Sequence, residues 1–213
     1  MLEESSRRLQ TDRLDLWQIH EIVYENDPDL IFLPNGVAEA LHTAKQQGKV
    51  RFVGFTGTRI QRFISKCSLT IFILTRYRMP LNCFDATFRS FETQVLPEAT
   101  RRGIAALGMK SLGGSGEMVR HGAITAERGL RDAMSLPVAT TISGNESIEA
   151  LHQNLAVAVN FQPLTAAEMQ GLREQCRKFA ADGRYELFKT TTKYDGKVGR
   201  EQHHFPAAQE LPL

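Results

Sequence analysis

The chain begins with a helix pattern that leads directly into a strand pattern ending in histidine. Residues 2–20 read LEESSRRLQTDRLDLWQIH, in which two leucines lie on one side of a run otherwise rich in charge and serine. Thr11 and Asp12 interrupt the helical period, and the apolar run at 14–19 predicts a buried strand. A helix, a short polar turn and a buried strand make half of a βαβ repeat, and here the strand ends at His20.

The same alternation continues along the chain. Further strands are predicted at 50–56, at a segment ending within 79–84, at 104–110 and at 138–143, and helices at 37–47, 92–102, 125–135, 147–159 and 165–181. Strands separated by helices imply a parallel sheet with right-handed crossovers, and therefore an α/β fold. The residues after 181 are polar and predict an extended or partly disordered tail.

Five predicted strands are fewer than the eight of a (β/α)8 barrel, and 213 residues are fewer than its typical length of about 250. We expect a barrel-like domain at 1–181 and a polar tail at 182–213. In such barrels the carboxyl ends of the strands carry the chemistry, which places His20 where an active-site residue belongs.

Composition excludes several classes of partner. The net charge of +2 and the pI near 8.5 are too mild to predict binding to nucleic acid or to an anionic membrane. No apolar run reaches the length of a membrane span. Cys67, Cys83 and Cys176 are widely spaced and predict free thiols in a reducing, cytoplasmic compartment. The adjacent pair His203 and His204 points to opposite sides of an extended chain, so no metal site is expected.

The first twenty residues resemble the aldo-keto reductase family, in which a helix and an "RL…D..DL" pattern precede a strand that ends in the catalytic histidine. In that family this histidine closes the fourth barrel strand. The resemblance therefore implies an α/β fold that is a partial (β/α)8 TIM barrel, with about five of eight βα units plus a C-terminal helix and tail. The resemblance implies NAD(P)H-dependent reduction of an aldehyde or ketone, a small-molecule carbonyl substrate, and a role for His20 in orienting or polarising the carbonyl. The family's general acid is a tyrosine tuned by a lysine and an aspartate on the first three strands. The chain's Tyr24, Tyr77, Tyr185 and Tyr194 do not match that motif, so no proton donor is assigned.

The resemblance also implies a cofactor, NADP or NAD, held by the second half of the chain. The run SLGGSG at 111–116 is similar to the family's "PLG.G" loop, in which glycines let backbone N–H groups approach a pyrophosphate. Alternatively, this is a glycine-rich turn that merely joins two elements. Met109 occupies the position at which the family often stacks a tyrosine on the nicotinamide.

A second cofactor segment runs from Thr141 to Leu155, where a strand end, a turn at Gly144 and a helix beginning at Ser147 follow one another. A helix N-terminus is a ready anion site. Gln153 and Asn154 match the family's pair beside the adenine, although Asn154 is alternatively an ordinary exposed helix residue. The complete set of cofactor-binding residues implied by the resemblance is Thr56, Asn82, Met109, Ser111, Leu112, Gly113, Ser143, Gly144, Ser147, Gln153 and Asn154.

The cofactor segment departs from the NADP-preferring pattern. Such members place arginine or lysine near the 2′-phosphate, whereas Glu146 and Ala150 stand at the corresponding positions here. A carboxylate repels a 2′-phosphate but can accept a hydrogen bond from a free ribose hydroxyl. We therefore expect a weakened preference for NADP, with NAD tolerated.

Residues 58–78 depart from the family altogether. The family usually continues with HKDP.IH and, later, FDTVQ before MPLN. Codons for HKDPAIH read one nucleotide late encode TRIQRFI, the residues at 58–64, and codons for FDTVQ read one nucleotide late encode LTRYR, the residues at 74–78. We interpret 58–78 as a compensated frameshift, in the gene or in its sequencing, that replaces the family's nicotinamide-contacting glutamine near Arg78. The alternative is a divergent helix and strand.

Two function classes follow from the sequence. The first is a carbonyl reductase of the aldo-keto reductase type, expected to be inactive as this chain alone. The second is a non-catalytic remnant that binds nucleotide weakly or not at all. A third class, another phosphate-binding barrel such as an isomerase or an aldolase, is disfavoured by the pattern that leads to His20.

Overall fold

The fold is built on one parallel five-stranded sheet. The computed structural model describes residues 2–59, 61, 74–202, 205–207 and 210–211. The strands are β1 (Leu14–Ile19), β2 (Val50–Thr56), β3 (Leu74–Pro80), β4 (Ala105–Met109) and β5 (Thr140–Thr141). They lie in the order β1-β2-β3-β4-β5, with every neighbouring pair parallel. Sequential parallel order is the arrangement of a barrel wall, and it confirms the α/β prediction.

Helices connect and follow the strands. Before β3 they are α1 (Leu2–Leu9), α2 (Asp27–Ile31) and α3 (Val37–Gln46). After β3 they are α4 (Phe91–Gln94), α5 (Leu96–Arg101), α6 (Glu117–Arg120), α7 (Ala126–Ser135), α8 (Ile148–Val159), α9 (Ala166–Ala180), α10 (Leu187–Thr190) and α11 (Lys197–Gln202). Among the described residues no helix is long and apolar enough to cross a membrane.

Local chemistry explains where several helices begin and end. Thr165 and Glu168 form the predicted capping box at the start of α9, with each side chain bonded to the other residue's backbone N–H. The predicted helix at 92–102 is divided into α4 and α5 at Val95. Pro97 is responsible, because it has no N–H to donate to the preceding turn and its ring crowds the carbonyl four residues earlier.

The third strand ends where the sequence pattern predicts. We expected a strand ending within 79–84, and β3 spans Leu74–Pro80, followed by a turn. Tyr77, inside the segment assigned to a shifted frame, is 1% exposed and stacks on Phe55 with 4.3 Å between ring centroids. Residues 60 and 62–73 lie outside the described part of the chain, so the frameshift stays a prediction.

The predicted strand at 138–143 is much shorter than expected, since β5 holds only Thr140 and Thr141. Backbone bonds from Ala139 to Ala106 and from Ile142 to Gly108 nevertheless continue its pairing with β4 on either side. The strand position was therefore correct and its length was not.

The prediction of an extended or partly disordered tail was wrong for much of 182–202. This segment contains α10 and α11 and buries Phe188 and Lys189. It lies over the carboxyl ends of the strands, where it contacts the loops after β1, β2, β3 and β4. We call residues 182–207 the C-terminal segment, and its contacts shape the candidate site.

Candidate active site at the carboxyl ends of the strands

His20 stands at the carboxyl end of β1 and contacts the end of β2. Its Nδ1 lies 3.1 Å from Thr56 Oγ1, and the backbone N–H of Glu21 donates to the same oxygen at 2.7 Å. While it accepts the Glu21 N–H, the Thr56 hydroxyl can donate its own proton to Nδ1. In that arrangement the ring carries its proton on Nε2, which leaves an N–H donor for a ligand.

The surroundings of His20 keep its ring neutral. Partial burial lowers the pKa of His20 below its ordinary value, and the positive charges of Arg78 and Lys110 lower it further. A neutral imidazole near pH 7 donates one hydrogen bond without adding a positive charge. The ring is therefore suited to orienting or polarising a carbonyl oxygen.

Asn82, at the end of β3, is fully occupied by protein partners. Its amide donates to Glu186 Oε1 at 3.0 Å and to the carbonyl oxygen of Lys110 at 3.3 Å. Its side-chain oxygen accepts the backbone N–H groups of Phe84 and Asp85. Asn82 thus anchors the C-terminal segment and the turn after β3, and its amide has no N–H left for a nicotinamide in this conformation.

The glycine loop after β4 is packed against the C-terminal segment. A Cβ at Gly114 would lie 2.8 Å from the hydroxyl oxygen of Tyr194, and a Cβ at Gly113 would lie 2.9 Å from the carbonyl oxygen of Tyr185. Gly113 also has φ of +80°, a backbone conformation that favours glycine. These contacts give the loop a structural reason for glycine that is independent of a phosphate.

Three other predicted cofactor residues in or next to this loop differ in their surroundings: Met109, Ser111 and Leu112. Ser111 is buried and its hydroxyl donates to the carbonyl oxygen of Ile142 at 3.3 Å. Leu112 packs on α7, where a Cβ at Gly129 would lie 2.7 Å from its side chain. Met109 is half-buried at the end of β4. Of this group, Leu112 is turned towards the helix layer.

The segment after β5 is the most open of the predicted cofactor positions. The side-chain amide of Asn154 donates to Ser143 Oγ at 3.1 Å, to the Gly144 carbonyl at 2.9 Å and to Asn145 Oδ1 at 2.8 Å. Ser147 caps α8 by accepting the Ala150 N–H. The turn at 144–147 and the start of α8 are exposed and accessible to the adenosine end of a dinucleotide, whereas the amide N–H groups of Asn154 are occupied by the turn itself.

Gln153 does not share this surface with Asn154. It lines a groove with Glu127 and Arg131, whereas Asn154 lines a different groove with Ser143. Neighbouring residues on a helix differ by about 100° in direction, which accounts for the separation. The structure therefore brings Asn154, Ser143 and Gly144 together and leaves Gln153 apart.

Comparison with known proteins identifies the family. Residues 1–120, more than half of the chain, match the model of the aldo/keto reductase family. The chain belongs to this family. No curated protein matched the sequence.

Solved structures of aldo-keto reductases share the fold. The enzyme from Bacillus halodurans matches in its apo form with a TM-score of 0.62 and 22% identity, over 82% of this chain and 66% of that one. Its holo form matches with a TM-score of 0.63 and 23% identity, over 82% of this chain and 62% of that one. A glycerol dehydrogenase from Gluconobacter oxydans matches with a TM-score of 0.58 and 17% identity, over 85% and 64%. The chain thus spans about two thirds of the length of these aldo-keto reductases or less.

In the described part of this aldo-keto reductase chain, the hydroxyls of Tyr24, Tyr77 and Tyr194 have hydrogen-bond partners. The Tyr24 hydroxyl donates to Asp195, and the Tyr77 hydroxyl donates to the Gly57 carbonyl oxygen at 3.3 Å. The Tyr194 hydroxyl lies 2.8 Å from Ser115 Oγ. Burial, followed by the bond to Asp195, raises the pKa of Tyr24, which makes its hydroxyl a weaker acid.

The C-terminal segment supplies site residues that sequence reasoning missed. Asp195 forms an ion pair of 2.6 Å with Arg59, and both side chains are almost fully buried. The backbone N–H of Gly196 donates to the Glu21 carboxylate, and Glu186 holds Asn82. The i, i+3 spacing of Glu186 and Lys189 was a signal for a helix in this region. Within the described residues, no group of three or more histidine, cysteine or acidic side chains is placed to hold a metal ion.

Proposed function

We propose that this chain carries the nucleotide-binding portion of an NAD(P)H-dependent oxidoreductase that reduces aldehyde or ketone carbonyls. The observation that supports this most is the family match over residues 1–120, which includes His20 at the carboxyl end of β1 in contact with Thr56. Fold likeness to aldo-keto reductases adds support for the architecture. The cofactor, the substrate and the activity are proposals.

His20 orients the carbonyl in this proposal. Its Nε2–H donates to the carbonyl oxygen, and the ring stays neutral because its pKa is lowered. The Ser143–Asn145 turn, which the amide of Asn154 holds in shape, contacts the adenosine end of the dinucleotide. A reduced nicotinamide supplies a hydride when it is bound. At the other end, the occupied amide of Asn82 does not fit a nicotinamide unless Glu186 releases it.

The second candidate function is a family member that binds nucleotide without catalysis. Two observations favour it: Asn82 is engaged by Glu186, and the hydroxyl of Tyr24, the tyrosine nearest in sequence to His20, is engaged by Asp195. A carbonyl that accepts a hydride also needs a proton, and the described part of the chain offers no tuned tyrosine for it. We therefore expect turnover by this chain alone to be slow or absent.

The experiment measures nucleotide binding and turnover separately. NADPH and NADH are titrated against the protein and followed by nicotinamide fluorescence, and oxidation of each is then followed with an aldehyde present. His20→Gln is compared with His152→Gln, a matched change on the exposed face of α8. Turnover that only His20→Gln abolishes supports the reductase, and binding without turnover supports the second candidate. A chain that binds neither nucleotide contradicts the reductase and the nucleotide-binding candidate, and supports the non-binding remnant that the sequence also allows.

The same proposal places the protein in a reducing, cytoplasmic compartment. Cys83 and Cys176 are both buried and free, although their sulfur atoms lie 3.8 Å apart. Two thiols this close form a disulfide readily in an oxidising compartment when the backbone permits it. Cys67 lies outside the described residues.

A further inference from the structure

Two cysteines that are far apart in the sequence meet in a small apolar cluster. Cys83 lies in the turn after β3 and Cys176 lies on α9, 93 positions later, and their sulfur atoms are 3.8 Å apart. Both residues are at most 1% exposed. The buried side chains around them are apolar: Phe84, Met118, Ile124, Leu172 and Ala180. The pair therefore joins α9 to the loop that follows the central strand of the sheet.

The distance between the two sulfur atoms is short enough for a disulfide bond to form. The sulfur atoms of a disulfide are about 2.05 Å apart, so those of Cys83 and Cys176 need to approach by less than about 2 Å. Rotation of each side chain about its Cα–Cβ bond moves the sulfur by a distance of this size. The two thiols are thus arranged as a reduced pair that one oxidation step can connect.

The two thiols differ in acidity. The hydrogen bond with Cys83 lowers the pKa of Cys176, and the charge of Arg128 on α7 also lowers it, against the opposing effects of burial and Asp132. The same hydrogen bond and burial raise the pKa of Cys83. Because the thiolate is the nucleophilic form, Cys176 is the sulfur that reacts first with an oxidant. Cys83 is then in place to attack the oxidised sulfur.

Burial restricts the kind of oxidant that can reach the pair. Cys176 lies on the buried face of α9, whereas its neighbours Gln175 and Arg177 are exposed, so the sulfur is close to solvent but covered. A local opening of α9 admits a small molecule more readily than a bulky one such as glutathione disulfide. Hydrogen peroxide, which is little larger than water, fits this restriction.

We propose that Cys83 and Cys176 form a reversible disulfide in response to hydrogen peroxide, which ties α9 to the turn after β3. The Cys176 thiolate attacks one peroxide oxygen, the O–O bond breaks, and a sulfenic acid and hydroxide are formed. Cys83 sulfur then attacks Cys176 sulfur, the S–OH bond breaks, and the Cys83 proton leaves with that hydroxyl as water. Two electrons pass from the sulfurs to the peroxide. Cellular thiols reduce the disulfide again by exchange.

The disulfide would restrain a turn that the C-terminal segment also contacts. Asn82, next to Cys83, accepts the backbone N–H groups of Phe84 and Asp85 and donates to Glu186. A covalent link to α9 limits the opening of this turn. It also connects positions 93 apart, and a crosslink over a long loop lowers the entropy of the unfolded chain substantially. The oxidised protein should therefore be more stable, with a more protected turn.

Mass spectrometry of the unaltered protein tests whether the bond forms. The folded, reduced chain is treated with hydrogen peroxide near neutral pH, the remaining thiols are alkylated in denaturant, and the protein is digested. We expect a linked pair of peptides that contain Cys83 and Cys176, with the mass of two hydrogens lost, and dithiothreitol should restore both thiols. Alkylation of both cysteines, sulfinic acid without a link, or links that involve only Cys67 would overturn the proposal.

Stability and hydrogen exchange test the consequence of the bond. Oxidation should raise the midpoint of thermal unfolding by at least about 5 °C, and dithiothreitol should reverse the rise. The amide hydrogens of Phe84 and Asp85 should exchange at least threefold more slowly, while that of Leu155 on α8 changes less than twofold. Unchanged exchange at Phe84 and Asp85 in the linked protein overturns the coupling of the bond to the turn.

Paired substitutions assign these effects to the two buried cysteines. Cys176→Ala removes the proposed attacking sulfur, and Cys67→Ala is the matched change at the third cysteine of the chain. We expect Cys67→Ala to keep the peroxide-dependent rise in the unfolding midpoint and Cys176→Ala to lose it. The same response in both variants overturns the assignment. None of these measurements needs a nucleotide or turnover, so they are independent of the proposed reductase activity.

Discussion

Lys189 Nζ lies 2.6 Å from Asp85 Oδ1, and both side chains are completely buried. The same ammonium lies 3.0 Å from Glu186 Oε1 and donates to the Phe88 carbonyl oxygen. Asp85 in turn accepts the backbone N–H groups at the start of α4. One lysine thus connects the C-terminal segment to the turn after β3, which makes the segment a structural part of the domain.

Replacing Lys189 by methionine should be strongly destabilising. The change leaves the carboxylates of Asp85 and Glu186 buried without their cation. Removing one partner of a buried ion pair costs about 3–5 kcal/mol. Urea unfolding measures the loss, and Lys193→Met is the control because Lys193 is exposed. Similar unfolding midpoints for the two variants would contradict the structural role of the Lys189–Asp85 pair.

The sequence predicted the sheet better than the parts that cover it. The limits of β2, Val50–Thr56, were predicted in full, because an apolar strand followed by a Gly-containing turn has a strong local pattern. The C-terminal segment was misjudged, because its polar residues are buried through partners about a hundred positions away. The contact between Lys189 and Asp85 is an example, and a local pattern does not contain that information.

The same difference between local patterns and packing-dependent contacts applies to the candidate site. Position at a strand end is a local property, and the sequence placed His20 correctly at the carboxyl end of β1. The occupation of Asn82 by Glu186 and the separation of Gln153 from Asn154 depend on packing and on the direction of each side chain. Residues that match a family motif in sequence can therefore differ in their availability to a ligand.

Asp132 on α7 should make stability depend on pH. Its side chain is fully buried, and both carboxylate oxygens lack a hydrogen-bond partner among the described residues. Burial raises the pKa of Asp132 to about 6, although the charge of Arg173 opposes this. The folded state therefore binds a proton more tightly than the unfolded state, and this contribution to stability is lost as the pH rises from the unfolded pKa, near 4, through about 6.

Asp132→Asn removes that loss because the amide does not ionise. A shift of about two pKa units corresponds to about 3 kcal/mol. The difference in free energy of unfolding, variant minus parent, should therefore be larger at pH 8 than at pH 4 by up to about 3 kcal/mol. Thermal unfolding at both pH values measures it. Asp15→Asn is the control, since the Asp15 side chain is 89% exposed. A difference between parent and variant that is the same at both pH values would contradict the burial of an ionisable Asp132.

Arg78→Gln should raise the pKa of His20. Arg78 is the larger of the two charge contributions that lower this pKa, while burial, the largest cause, is retained in the variant. The ring-proton resonance of His20, followed by NMR over a pH titration, gives the pKa directly. Arg51→Gln is the control, because Arg51 lies on β2 with an exposed side chain and does not contribute to the pKa of His20. An unchanged pKa in Arg78→Gln would show that Arg78 does not act on the ring.

Glu146→Arg should shift nucleotide preference towards NADPH if the dinucleotide lies on the turn before α8. Glu146 is exposed between Gly144 and Ser147, where a carboxylate repels a 2′-phosphate and a guanidinium pairs with it. We expect the ratio of NADPH to NADH affinity to rise roughly tenfold, equivalent to about 1.4 kcal/mol. Competitive titration of the two nucleotides provides this ratio. Glu127→Arg is the control, because it makes the same charge change in the first turn of α7, and it should leave the ratio within about twofold of the parent's. An equal response of the two variants would mean that net charge, and not the position of Glu146, sets the preference.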